Sequence, residues 1–141
     1  MKPIREVYPD CGKEGAFDAP DDYTPLLESI GHQILVSVDE ERYEGDSFLI
    51  VKDSAGKYGL LIFGWGSCSG CDALQGTRSY QEIEELRQNL IADIRWFSCV
   101  AALIAYVSDT SRTELQHYYH SGIWPKFVAA VQAMTERSVK E

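Results

Sequence analysis

Apolar positions along this chain follow two rhythms, a period of two in the middle and a helical period after it. Ile34-Leu35-Val36-Ser37-Val38 alternates, placing Ile34, Val36 and Val38 on one face of a strand. Phe48-Leu49-Ile50-Val51 and Tyr58-Gly59-Leu60-Leu61-Ile62-Phe63 are apolar at successive positions, which suits central strands covered on both sides. Between them, Asp53-Ser54-Ala55-Gly56 has the composition of a tight turn, so residues 48–63 are expected to form a hairpin.

From Ser79 onward the period lengthens. Ser79-Tyr80-Gln81-Glu82 is a capping box, in which each of Ser79 and Glu82 can satisfy the other's backbone N–H. Behind it Ile83, Leu86, Leu90, Ile91, Ile94 and Phe97 recur at helical spacing, with Glu84, Glu85, Arg87 and Asp93 expected on the wet side. A second apolar helix is predicted over about 99–107, after a break at Ser98. Leu115 to His120 fits a strand or a helix, and a last helix from Pro125 to Arg137 turns Phe127, Val128, Val131 and Met134 inward. Before the strands, a short helix from Pro25 to Ile30 is expected, with Thr24 as N-cap and Gly31 just past its end. Residues 1–22, punctuated by Pro3, Pro9, Gly12, Gly15 and Pro20, read as an irregular arm. Strands first and helices after predict an α+β fold, a small antiparallel sheet with C-terminal helices packed on it.

Length and composition set the scale of that fold. A chain of 141 residues fits one domain, and roughly 70% of the surface of its unfolded state can be buried without disulfide or metal staples. The longest apolar run, Val100 to Val107, is too short to cross a bilayer. No signal-peptide core follows Met1-Lys2-Pro3-Ile4-Arg5-Glu6, so a cytoplasmic location is expected.

Charge changes the picture more than composition does. The net charge is −9, and residues 1–50 hold 4 basic and 12 acidic groups, a balance of −8. Five of these acids, Asp39, Glu40, Glu41, Glu44 and Asp46, crowd one connection between two strands. Such a field repels nucleic-acid phosphate and anionic membranes and attracts basic proteins. The cluster is therefore a candidate surface for a basic partner, or a mimic of nucleic-acid phosphates; read plainly, it is a solvated connector.

The densest unusual stretch is Gly64-Trp65-Gly66-Ser67-Cys68-Ser69-Gly70-Cys71-Asp72. Cys68 and Cys71 have the spacing with which one turn offers two thiolates to zinc, and His117 and His120, three apart, could complete the set. Cys11, Cys99 and His32 are further candidate ligands. A Cys-x-x-Cys can also be a redox pair, although here it follows a hairpin rather than a βαβ unit, and Asp72 would raise a neighbouring thiol pKa. A nucleophile pair of Cys68 with His117 or His120 differs from these in chemistry but rests on residue type alone. On a third reading the small residues simply pack beneath Trp65, and the loop's backbone N–H groups could also hold an anion. Tyr118, Tyr119 and Trp124 could line a binding face or fill the core.

The run Phe63-Gly64-Trp65-Gly66-Ser67-Cys68-Ser69-Gly70-Cys71-Asp72-Ala73-Leu74-Gln75, followed by Ile94-Arg95-Trp96-Phe97, resembles a group of small proteins of bacteria, chiefly actinobacteria, and their phages. The likeness covers the middle third of the chain and carries no activity with it. It implies a context, that of a phage or mobile-element accessory protein that binds a host protein. The expected function is thus a non-enzymatic acidic module, without cofactor, for a basic protein surface; the alternative is a zinc-binding or thiol-redox protein centred on Cys68 and Cys71.

Overall fold

The computed structural model describes residues 1–12, 15–40, 45–66, 72–109, 111–119 and 121–140, with side chains as far as Met134. Four strands, β1 (Gln33–Asp39), β2 (Gly45–Lys52), β3 (Tyr58–Trp65) and β4 (Arg95–Phe97), form one antiparallel sheet in that spatial order. The helices are α1 (Ile4–Val7), α2 (Thr24–Ser29), α3 (Tyr80–Asp93), α4 (Val100–Ser108) and α5 (Trp124–Lys140), with a 3-10 helix at Thr113–Tyr118.

The expected hairpin is β2–β3, paired from Lys52–Tyr58 to Gly45–Trp65. Asp53 builds its turn by accepting the backbone N–H groups of Ala55 (3.0 Å) and Lys57 (2.8 Å) on its side-chain Oδ1. Gly56 supplies the positive φ of 83° that a residue with a Cβ adopts only under strain. Both strands are covered on two faces, as their doubly apolar sequences require. Phe48, Ile50 and Leu60 enter one core with α4, the 3-10 helix and α5. Leu49, Val51 and Leu61 enter a second core with α1, α2 and α3. The sheet is therefore the middle of three layers, with helices on both sides.

Local departures from the sequence reading have identifiable causes. In β1 the register shifts between Ile34 and Val36, so Ile34 joins the α2–α3 core while Val36 joins the α4–α5 core. A bulge adds one residue and turns the alternation over, and the three residues expected on one face divide between two. Tyr23, rather than Thr24, is the N-cap of α2, and Pro25 lies in the first turn as expected. The segment left between strand and helix, Leu115 to His120, is a 3-10 helix as far as Tyr118, with Leu115 buried. Trp124 is 6% exposed and packs with Phe48, Tyr118 and Phe127, so these aromatics fill the core.

The capping box holds at α3: Ser79 Oγ accepts the Glu82 N–H at 3.2 Å. Glu82 Oε1 accepts the N–H of Arg78, also at 3.2 Å, one residue further back than the simple motif would place it. The helix then stops at Asp93, short of the predicted Phe97, and Arg95–Phe97 pair with Tyr58–Leu60 as β4. Arg87, expected in water, is 3% exposed. Its guanidinium donates to Glu84 Oε2 (2.6 Å), to the Lys2 carbonyl (2.7 Å) and to Ser29 Oγ (3.1 Å), tying α3 to the N-terminal segment and to α2.

Of the first 22 residues, those described contain little regular structure beyond α1, yet they are docked on the body. Ile4, Tyr8 and Cys11 are buried against α3. Tyr80 Oη donates to the Tyr8 carbonyl (2.8 Å) and accepts the Gly12 N–H (3.2 Å), while Tyr8 Oη donates to the Asp22 carbonyl (2.6 Å). Among the described residues no helix is long and apolar enough to cross a membrane.

Candidate functional site

Strand pairing brings the two unusual stretches of the sequence to one end of the sheet. Asp39 pairs with Ser47 across β1–β2, and Asp46 and Gly45 pair with Gly64 and Trp65 across β2–β3. The acidic connection and the start of the glycine-rich loop are consequently neighbours, since paired residues in an antiparallel ladder lie roughly 5 Å apart.

At the acidic connection, Glu40 grips the backbone of Asp46 from two sides. Its N–H donates to the Asp46 carbonyl (3.2 Å), and its Oε1 accepts the Asp46 N–H (3.1 Å). Asp39 Oδ1 accepts the Ser47 hydroxyl, which is itself buried. Burial lifts the Asp46 carboxyl above the usual carboxylate range, the Glu40 carboxylate adds to the lift, and His117 partly offsets it. Tyr118 beneath is also raised, by burial and then by Asp46. Glu41 and Glu44 lie outside the described residues.

At the glycine-rich loop, the organising group is Asp72, 5% exposed. Its Oδ2 accepts the Gly66 N–H at 2.8 Å, and its Oδ1 accepts the N–H groups of Leu74 and Gln75, both at 2.9 Å, and the Tyr23 hydroxyl at 3.2 Å. A carboxylate with this many donors is well solvated by protein although buried. Gln75 Nε2 adds a bond to the Gly66 carbonyl (3.0 Å), so residues on either side of 67–71 are tied together. The Tyr23 ring packs against Phe63 in a tilted arrangement, 4.8 Å between ring centres, and its hydroxyl pKa is raised, by burial first and then by Asp72.

Between these two features, under the first turn of α2, lies a cleft of about 300 Å3 bordered by Asp22, Tyr23, Asp39, Glu40, Phe63 and Trp65. Asp22 Oδ1 accepts the Thr24 N–H (2.9 Å) at its rim. The sequence pointed to Asp39, Glu40 and Trp65, whereas Asp22 was read as part of the arm, Phe63 as strand and as the start of the run that carries the resemblance, and Tyr23 was given no role.

The candidate metal set is not assembled by the described residues. Cys68, Cys71 and His120 lie outside them, and His117 is exposed on the 3-10 helix, near Asp46. His32 meets Trp96 edge to face, and the pairing partner of Trp96 is Gly59; Cys99 follows β4 at that same end. Six residues of strand separate Gly59 from Trp65, about 20 Å at ~3.3 Å per residue, so His32 and Cys99 stand at the opposite end of the sheet from the glycine-rich loop. Cys11 is buried in the α1–α3 core, where burial first and then Asp18 and Asp10 push its thiol pKa up. Among the described residues no three His, Cys, Asp or Glu side chains are grouped to hold a metal ion.

The chain was compared with protein-family models, with curated proteins and with solved structures, and it matches none of them.

Proposed function

We propose that this protein is a binding module rather than an enzyme. It engages a basic protein surface through the acidic connection between β1 and β2, that is, through Asp39, Glu40, Glu41, Glu44 and Asp46. The observation that carries this reading is where the acids fall. Asp39, Glu40 and Asp46 stand together at one end of the sheet, and one further acid, Asp22, joins Asp39 and Glu40 on the walls of the cleft beside them. Asp46 there has a carboxyl pKa raised by burial first and by the neighbouring Glu40 carboxylate second. Among the described residues Met1 is the only exposed large hydrophobic side chain. A concentrated negative field steers basic partners and excludes nucleic acid and anionic membrane.

The resemblance of the Phe63–Gln75 run to bacterial and phage proteins supports a more specific role, that of an accessory protein of a phage or mobile element. In the host cytoplasm it would inhibit a nucleic-acid-handling or defence protein by covering its basic face. The test is affinity capture from a bacterial lysate with the intact protein and with a variant carrying Asp39→Asn, Glu40→Gln, Glu41→Gln, Glu44→Gln and Asp46→Asn. The expected result is a basic protein retained by the first and lost by the second, with retention falling as salt shortens the Debye length to a few ångströms. Equal retention by both would remove the acidic connection from the interaction.

A further inference from the structure

The cleft beside the acidic connection has walls of two kinds. Tyr23, Phe63 and Trp65 supply aromatic surface, and Asp22, Asp39 and Glu40 supply carboxylates. No lysine, arginine or histidine is among its described lining residues. Aromatic faces attract ammonium and guanidinium groups through the ring quadrupole, and they also cover the alkyl stem that carries the charge. At about 300 Å3 the cleft stands at the small end of ligand pockets. That is room for one long side chain rather than for a nucleotide-sized cofactor.

The walls are also held in place before anything binds. One oxygen of Asp22 is fixed by the Thr24 N–H and one of Asp39 by the Ser47 hydroxyl. Tyr23 is fixed by its bond to Asp72 and by its contact with Phe63. A site ordered in advance loses less freedom on binding.

We propose that this cleft receives one lysine or arginine side chain from a basic segment of the partner, with the charge held by the carboxylates and the stem lying on the aromatic rings. This rests on the reading of the protein as a binder of basic surfaces and adds to it a defined point of insertion.

The experiment is an amide and indole NMR titration of the intact, isotope-labelled protein with an oligo-arginine peptide, and with an oligo-glutamate peptide as control. Shifts are expected at the Trp65 indole N–H and at the amides of Thr24, Ser47 and Gly66, with none from oligo-glutamate. Trp65→Leu should weaken binding several-fold, up to about tenfold, the equivalent of about 1.4 kcal/mol. Ser37→Lys, at an exposed position of β1 that borders the cleft, should fill it with a tethered cation and abolish the cleft shifts. This variant leaves every aromatic and acidic wall residue in place and decides the matter should Trp65→Leu fail to fold. Shifts restricted to the β1–β2 connection, unaffected by Ser37→Lys, would overturn the insertion while leaving the basic-partner reading intact. No response to oligo-arginine at low salt would overturn both.

Discussion

Asp72 shows how much one residue decides. In the sequence it is an acid beside two cysteines, and the inference drawn there concerned only its effect on a thiol. Folded, it accepts three backbone N–H groups and a tyrosine hydroxyl in a buried position. An unsatisfied buried donor costs about 1–3 kcal/mol. With some of the donors recovered by water, Asp72→Ala is expected to lose about 3 kcal/mol and to lower the melting temperature by roughly 6–12 °C in a calorimetric scan. Gly59 is decisive in another way. A Cβ there would stand 2.5 Å from a methyl of Ile94 and 3.0 Å from Trp96 and Val51. Gly59→Ala should therefore destabilise by about 1–3 kcal/mol through overpacking at the β3–β4 contact, measurable by denaturant titration. Neither effect was legible beforehand, because the atoms that make each position special belong to residues distant in sequence.

At the scale of elements, the segment Ile94–Phe97 tests what periodicity can distinguish. Ile94 and Phe97 continue the helical spacing of Ile83, Leu86 and Leu90, so the pattern alone extends the helix through them. The β-branched and aromatic run Ile-Arg-Trp-Phe also suits a strand, and β3 offers open edge positions at Tyr58–Leu60. Ladder pairing with that edge ends the helix at Asp93. Arg87 marks the other limit, since a charged residue on a predicted wet face is buried because the N-terminal segment folds over it. Its own side chain is 3% exposed and its bonds to the Lys2 carbonyl and Ser29 Oγ are partly buried, whereas the Glu84 side chain is 42% exposed. Arg87→Ala is accordingly expected to cost about 2–3 kcal/mol through lost charged hydrogen bonds and packing, and Glu84→Ala less than about 1 kcal/mol. Limited proteolysis should cut residues 1–8 faster in Arg87→Ala than in the parent, and should leave the Glu84→Ala variant close to it.

For the whole molecule the governing feature is the uneven charge. The sheet, with helices on both faces, gathers the acids of β1, β2 and the start of α2 at one end, and Asp46 carries the cost in its raised pKa. A carboxyl whose folded-state pKa lies above its unfolded value binds its proton more tightly when folded. Its contribution is thus most favourable at acid pH and is lost as pH rises from the ordinary carboxylate range through the raised value. At neutral pH the penalty is fully present. Asp46→Asn should therefore melt higher than the parent at neutral pH, and the difference should shrink as pH falls from the raised value through the ordinary carboxylate range. Melts across that pH series check both the sign and the window. The Glu40 part of that lift is what a basic partner of the proposed kind would relieve, so under the proposed function a gain in stability and a loss of binding are expected together in this variant.

The sequence by itself determined the elements whose cause is local. The hairpin over 48–63 follows from doubly apolar strands and a turn with Asp53 and Gly56 in the required places. The start of α3 follows from Ser79 and Glu82, and the inward stripe of the last helix from Phe127, Val131 and Met134. The acidic connection was legible too, as plain composition. What only the tertiary structure decided was which local segments meet: the bulge that divides Ile34 from Val36, the strand made of Arg95–Phe97, the burial of Arg87, and the meeting of Asp22, Tyr23, Phe63 and Trp65 with Asp39 and Glu40 around one cleft. Periodicity and capping act over a few residues and leave a mark in the order of the chain. A cleft wall is set by strand register and by helices packed across a sheet, and residues far apart in sequence carry no local mark of becoming neighbours.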